Sequence, residues 1–307
     1  MNPRARRKIQ RGIRWLRELF KSPDPFSGPN ILCRTEVPIA IDVGYDSRFG
    51  DAMCAELEAD RGLIMEKKQM RAGLEHELRA VGDAARAKQV AAYFKTGKGE
   101  YGEGDVFLGM PVPVMRKIAL RYRTFSLADL QKLLDSKIHE FRAAALEILA
   151  AQYARGNERQ RNAIVSFYLK NTRRINNWDL VDASCRPILG EHLKTRSRVV
   201  LRRLAISKSV WERRIAIVST MTLVWAGELD DAMEIAEMLL DDEHDLIHKA
   251  VGWVLREAGV KDRVRLVLFL KMHYDRLPRT ALRYAIEHFP VEQRKKVLAG
   301  YFGSIDL

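Results

Sequence analysis

From about Met65 onward the chain places apolar residues at helical spacing almost without interruption, and this periodicity rules out most folds. The pattern is broken roughly every 10–18 residues by Gly, Pro, Asn or Asp, the residues that end helices and open turns. It predicts a succession of short helices, from 70–82 and 84–95 through 139–154, 177–189, 209–225 and 244–258 to 291–300. No strand is expected, because the β-branched runs are short and lie inside the helical period.

Paired helices recurring roughly every 35–40 residues point to an α-solenoid. The segments "FRAAALEILAAQYA", "ERRIAIVSTMTLV" and "IHKAVGWVLREAG" share a spine of small apolar residues and little else, the pattern of HEAT-type repeats. The expected fold is all-α: a superhelix of HEAT-like helical repeats over 65–307, with a concave basic face wide enough for a duplex.

Charge narrows the partners. The chain carries a net +13, with a sequence pI of about 9.7. Residues 1–64 hold 11 Lys/Arg against 9 Asp/Glu, so nearly all of the excess belongs to residues 65–307. Lys and Arg lining a concave face would grip phosphates, which makes nucleic acid the expected partner. A helical-repeat scaffold for another protein is the open alternative. At 47% hydrophobic and 30% charged residues the chain reads as globular and not disordered. No apolar run approaches the roughly 18 residues of a membrane span, and no signal-peptide core stands near the start. Cys33, Cys54 and Cys185 are odd in number and lack C-x-x-C spacing, which fits a reducing, cytoplasmic setting.

Residues 1–64 form a separate extension. Its Arg-rich opening, "RARRKIQRGIRWLRELFK", is a solvated basic helix, a nucleic-acid arm, a membrane-surface helix or a transit peptide. Pro23, Pro25, Pro29 and Pro38 then mark a linker. With Met65 and Met70 just before the periodic body, an early start codon is a further reading of the extension.

Two motifs are set aside. "GKGEYG" at 97–102 fits G-x-G-x-x-G but follows a helix, whereas a dinucleotide site needs it between strand and helix. His244 and His248 share a helix face, yet no third ligand stands at zinc spacing and no H-E-x-x-H is present. Neither a metal nor a cofactor is expected.

The segment "RRINNWDLVDASC" places carboxylates in a basic protein. Asn176 or Asn177 would cap a helix, with Trp178 and Asp179 in its first turn. Asp179 then complements the helix dipole, and nothing more is asked of it. Asp182 falls one turn after Trp178 on the same face, setting a carboxylate beside an aromatic plane. At about 4 Å and an effective dielectric near 20, such a carboxylate stabilises a unit positive charge by roughly 4 kcal/mol. Felt only in the transition state, that is worth on the order of 10³-fold in rate. A sugar oxocarbenium ion is one such charge.

The stretches "AAYFKTGKGEYGEGDVFLGMPVPVMRK", "INNWDLVDASCRPILG", "SVWERRIAIVST", "HDLIHKAVGWVLREAGVKD" and "LPRTALRYAIEHFP" resemble, in this order over about 70–300, the HEAT-repeat DNA alkylation repair proteins, the AlkD-like DNA glycosylases. The N-N-W-D-L-V-D and G-W-x-L-R-E-x-G segments are the specific parts. The resemblance implies a monofunctional, cofactor-independent and monomeric glycosylase. It would excise cationic alkylated purines such as 3-methyladenine and 7-methylguanine, and bulkier adducts, from duplex DNA without a base-flipping pocket. It implies that Asp182 is the family's carboxylate and that Trp178 and Trp253 flank the lesion. It places Arg214 as an exposed charge on the DNA backbone, with Arg213 the competitor for that role, Arg256 a further backbone contact and Tyr93 close to the lesion. Two rivals remain beside it: a non-catalytic DNA-binding member of the fold, and the protein scaffold.

Overall fold

A computed structural model of the chain describes residues 69–302. The basic opening, the proline-rich linker, Cys33 and Cys54 lie outside the described residues. Within them the chain is helical throughout, and the only β-type pairing is an isolated parallel bridge between Val106 and Ile138.

The elements follow the apolar period closely. They are α1 (69–80), α2 (Ala84–Tyr93), α3 (Val112–Ala119), α4 (Leu127–Leu134), α5 (His139–Arg155), α6 (Glu158–Lys170) and α7 (Trp178–Cys185). After them come α8 (Val199–Ala205), α9 (Val210–Ser219), α10 (Met221–Trp225), α11 (Asp230–Met238), α12 (Asp245–Lys261), α13 (Arg263–Met272), α14 (Arg279–Ala285) and α15 (Val291–Leu298). Side chains hold the starts of several of them. Ser126 and Asp129 form a reciprocal capping box at α4, and Asn157 and Gln160 form another at α6. Asp83 and Asp262 accept backbone N–H groups at the starts of α2 and α13.

Packing runs through alternate helices. The helix α5 lies against α7, α7 against α9, α9 against α12, and α12 most extensively against α14. The core follows this row through Leu146, Leu149, Leu180, Val181, Ile215, Val218, Val251, Val254 and Leu282, all nearly inaccessible to solvent. Polar groups near the helix starts also meet along this row, His139 with Asp179, Asp182 with Arg214 and Arg214 with Leu246.

Two expected helices are interrupted. The helix expected over 177–189 leaves α geometry at Arg186 and passes through a π-helical segment, Arg186–Gly190. Pro187 explains this, since it has no N–H to give the carbonyl one turn back. The helix expected over 209–225 divides at Thr220, whose hydroxyl donates back to the carbonyl of Ile217 at 2.6 Å. Thr222 donates to the Arg186 carbonyl at 3.3 Å, fastening the second piece to the π segment. Gly190 lets them approach, because a Cβ there would lie 2.4 Å from Thr222 Oγ1.

The contact of α12 with α14 is equally close at Gly252, where a Cβ would meet Ala281 O and Tyr284 Cβ at 2.5 Å each. Replacing a mid-helix glycine by alanine ordinarily gains up to about 1 kcal/mol of helix propensity. Here overpacking costs about 1–3 kcal/mol, so Gly252→Ala is expected to lower stability. Urea unfolding reads this directly; an unchanged or raised midpoint would mean that the two helices separate at no cost.

Candidate active site at the start of α7

Asn177 caps α7. Its side-chain oxygen accepts the Trp178 N–H at 2.8 Å, and the residue is completely buried. Trp178 is half-buried and braced from behind by a run of rings. Phe94 stacks on it at 5.2 Å and 19°, Phe107 stacks on Phe94 at 5.1 Å and 18°, and His139 stacks on Phe107 at 4.5 Å and 25°. Tyr93 meets Trp178 edge-on at 6.0 Å and is 67% exposed. The indole is thus held in a fixed plane with an exposed tyrosine at its edge.

Asp182, one turn along, holds the most consequential contact in the molecule. Arg214 of α9 grips it with two donors, Nε to Oδ1 at 2.9 Å and Nη2 to Oδ2 at 2.7 Å. Its third nitrogen, Nη1, donates to the carbonyl of Leu246 in α12 at 2.5 Å. Burial raises the Asp182 carboxyl above the usual carboxylate range, and Asp179 adds to this, while Arg214 and then Arg186 pull it back. A guanidinium on both oxygens favours the ionised form and works against that burial.

This corrects the expectation of Arg214 as an exposed charge on the DNA backbone: it is 5% exposed and its nitrogens are engaged within the protein. Arg213 is turned away as well, paired with Asp242 at 2.5 Å and donating to the Ser207 carbonyl at 2.9 Å. Arg256 forms ion pairs with Glu257 and Glu287. A sequence shows that three arginines are present but not which acids the fold brings to them.

Asp179 is also corrected. It lies in the first turn of α7 as expected, yet it accepts a hydrogen bond from His139 Nε2 at 2.7 Å. The other ring nitrogen of His139 is bonded to Asp105 at 3.2 Å, and Asp105 pairs with Arg142 at 2.7 Å. Burial by itself would lower the His139 pKa, but the hydrogen bonds to Asp105 and Asp179 outweigh it and the net shift is upward from 6.5. Burial works against the Asp105 carboxylate too, but the His139 hydrogen bond and the Arg142 charge hold it below its ordinary value. The His139 ring thus bridges two carboxylates behind the first turn of α7.

The remaining candidates sort simply. Trp253 of α12 is half-buried, and the Arg186 guanidinium carbon lies 5.5 Å from its ring centre. Cys185 is buried and free, with its thiol pushed up by burial to about 12, so it is no nucleophile at neutral pH. His244 caps α12 by accepting the Leu246 N–H, and His248 bonds the Asp242 carbonyl, so both serve the helix start. In the glycine loop Glu100 and Glu103 accept the N–H groups of Gly97 and Gly99, leaving those amides no phosphate to cradle. Among the described residues no helix is long and apolar enough to cross a membrane.

A family model described as DNA alkylation repair enzyme matches residues 74–289, which span α1 to α14 and include Trp178, Asp182, Arg214 and Trp253. The chain belongs to the DNA alkylation repair enzyme family. A solved structure described as a "predicted DNA alkylation repair enzyme" from Enterococcus faecalis shares the fold with a TM-score of 0.55 at 18% identity, covering 68% of this chain and 97% of that one. No curated protein sequence matches. Family membership assigns the chain to the repair of alkylated DNA.

Two measurements test the polar network. Removing one partner of a buried ion pair leaves an uncompensated charge, at a cost of about 3–5 kcal/mol. Arg214→Ala is expected to lose that much in urea unfolding, and Asp182→Leu combined with Arg214→Met to lose less than the two single changes together. An additive double variant would show that the pair is not coupled. For His139 the raised folded pKa means that its stabilisation is complete below about 6.5 and is lost as pH rises through the folded value. The melting-temperature gap between wild type and His139→Gln should therefore narrow as pH rises above about 6.5. A constant gap would mean that the charge contributes nothing.

Proposed function

We propose that the protein is a monofunctional DNA glycosylase that hydrolyses the N-glycosidic bond of cationic alkylated purines in duplex DNA. The observation that carries this reading is Asp182: a buried carboxyl gripped on both oxygens by one guanidinium, one helical turn from a rigidly braced tryptophan. An alkylated purine is already cationic and leaves as a neutral base, taking the bonding electrons with it, so no general acid is needed. The positive charge passes to the deoxyribose, where a preorganised carboxylate stabilises it. Water then adds at C1′ and gives up its proton. Trp178 and Trp253 would meet the sugar through their faces, with Tyr93 at the rim.

The helix-to-helix row of α5, α7, α9, α12 and α14 supports a HEAT-like solenoid with these residues along one face. On this reading the duplex is held by its backbone, the base is not rotated into a pocket, and bulky adducts are tolerated. With Arg213, Arg214 and Arg256 paired to acids, other Lys and Arg of the basic body would supply most phosphate contacts.

The decisive experiment incubates duplex DNA carrying N-methylated purines with the protein and measures free base. Wild type is expected to release 3-methyladenine or 7-methylguanine, and Asp182→Asn to be slower by on the order of 10³-fold. Circular dichroism keeps a folding defect apart from a chemical one. The wild-type acid limb should lie above the ordinary carboxylate value of 3.8, because protonation removes the charge that stabilises the sugar cation. Undiminished release by Asp182→Asn would remove Asp182 from the chemistry. Salt-sensitive duplex binding without release would identify a non-catalytic binder, and no duplex binding would identify a protein scaffold.

A further inference from the structure

Arg186 stands one turn after Asp182 and two turns after Trp178, on the same face of the chain. Its backbone and its side chain are both fastened. The carbonyl accepts from the Glu191 N–H across the π turn and from Thr222 Oγ1 at 3.3 Å. In the side chain, Nε donates to the Asp182 carbonyl at 3.1 Å. The guanidinium carbon then lies 5.3 Å from the ring centre of Trp225 and 5.5 Å from that of Trp253. A planar cation thus lies within cation–π reach of two indoles, one of them the tryptophan of α12 and the other 48% exposed.

Resting on the glycosylase reading, we propose that Arg186 is a positioning residue that sets the plane of Trp253 relative to Asp182, with Trp225 the outer plate of the same stack. The path between them is short. The bond from Arg186 Nε to the Asp182 carbonyl ties the guanidinium to the helix turn that carries the carboxylate, and the guanidinium bears on Trp253. Trp253 therefore cannot turn without breaking its contact with a group anchored at Asp182. Deoxyribose entering the site meets an indole whose orientation is already set, which saves the cost of ordering it during the reaction. The π segment that begins at Arg186 ties its backbone to α10, through the carbonyl that accepts from Thr222.

A simple phosphate contact predicts something different. It would weaken duplex binding and flatten its salt dependence while leaving the chemical step alone. Lysine would then serve nearly as well as arginine. A positioning role needs the flat guanidinium, and lysine supplies the charge without the plane.

The test is base release from an N-methylated duplex oligonucleotide by wild type, Arg186→Lys, Arg186→Met and Trp225→Ala, with kcat, KM and the acid limb recorded for each. Both arginine variants are expected to lose about tenfold or more in kcat with KM within about twofold. Trp225→Ala should move in the same direction and by less. Arg186→Met should also shift the acid limb upward, since a cation near Asp182 is gone, whereas Arg186→Lys should leave it in place. If Arg186→Met does not fold, Arg186→Lys and the exposed Trp225→Ala carry the comparison. Wild-type kcat in Arg186→Lys, or a loss confined to KM with a shallower salt slope, would overturn the positioning role and leave the glycosylase reading standing. Absence of release by wild type would remove both.

Discussion

The bidentate pair between Asp182 and Arg214 is the contact around which the site is organised. One guanidinium touches three helices: it originates in α9, grips the carboxylate of α7 and donates to the backbone of α12. Those helices carry Trp178, Asp182 and Trp253. Hydrophobic packing brings α7, α9 and α12 together but specifies their register only loosely, because apolar contacts have no direction. A buried guanidinium with fixed donor directions tolerates little sliding. The same pair resolves an electrostatic conflict. Burying a carboxylate favours its neutral form, and neutral Asp182 could not stabilise a cation. Arg214 favours the ionised form, and burial leaves its charge poorly screened by water.

A second acid–base assembly stands behind the first. His139 joins Asp179 to Asp105, and Arg142 pairs with Asp105, so a line of polar contacts runs from α5 to the start of α7. The His139 ring also stacks on Phe107, at the far end of the aromatic run that backs Trp178. The polar network and the ring stack therefore share one residue, His139. Asp179 contributes at both places, since it accepts from His139 and its charge helps to raise the Asp182 carboxyl.

Much of this is legible in the sequence and some is not, for reasons that differ by residue. The helices from α1 to α15 follow from apolar spacing, and Trp178 with Asp182 follows from the four-residue interval. Arg186 obeys the same interval, one turn further on. Its role is hidden because the interval does not show which rings of α10 and α12 the fold brings to it. The break at Thr220 is hidden because threonine is compatible with either a continuous or a divided helix. Arg214 illustrates the opposite limit. Its position in "WERRIA" suggests a surface charge, and only the placement of α7 beside α9 reveals that it is buried against Asp182.

Periodicity by itself determined that the chain is helical, which side of each helix is apolar, and that Trp178 and Asp182 share a face. Those properties are local, because a helix repeats within a few residues whatever surrounds it. The tertiary structure alone decided which polar groups meet: Arg214 with Asp182 across 32 residues, His139 with Asp179 across 40, and Arg186 with the rings of Trp225 and Trp253. Those pairings depend on helix register, and register is set by the whole packed row of helices and not by any one segment.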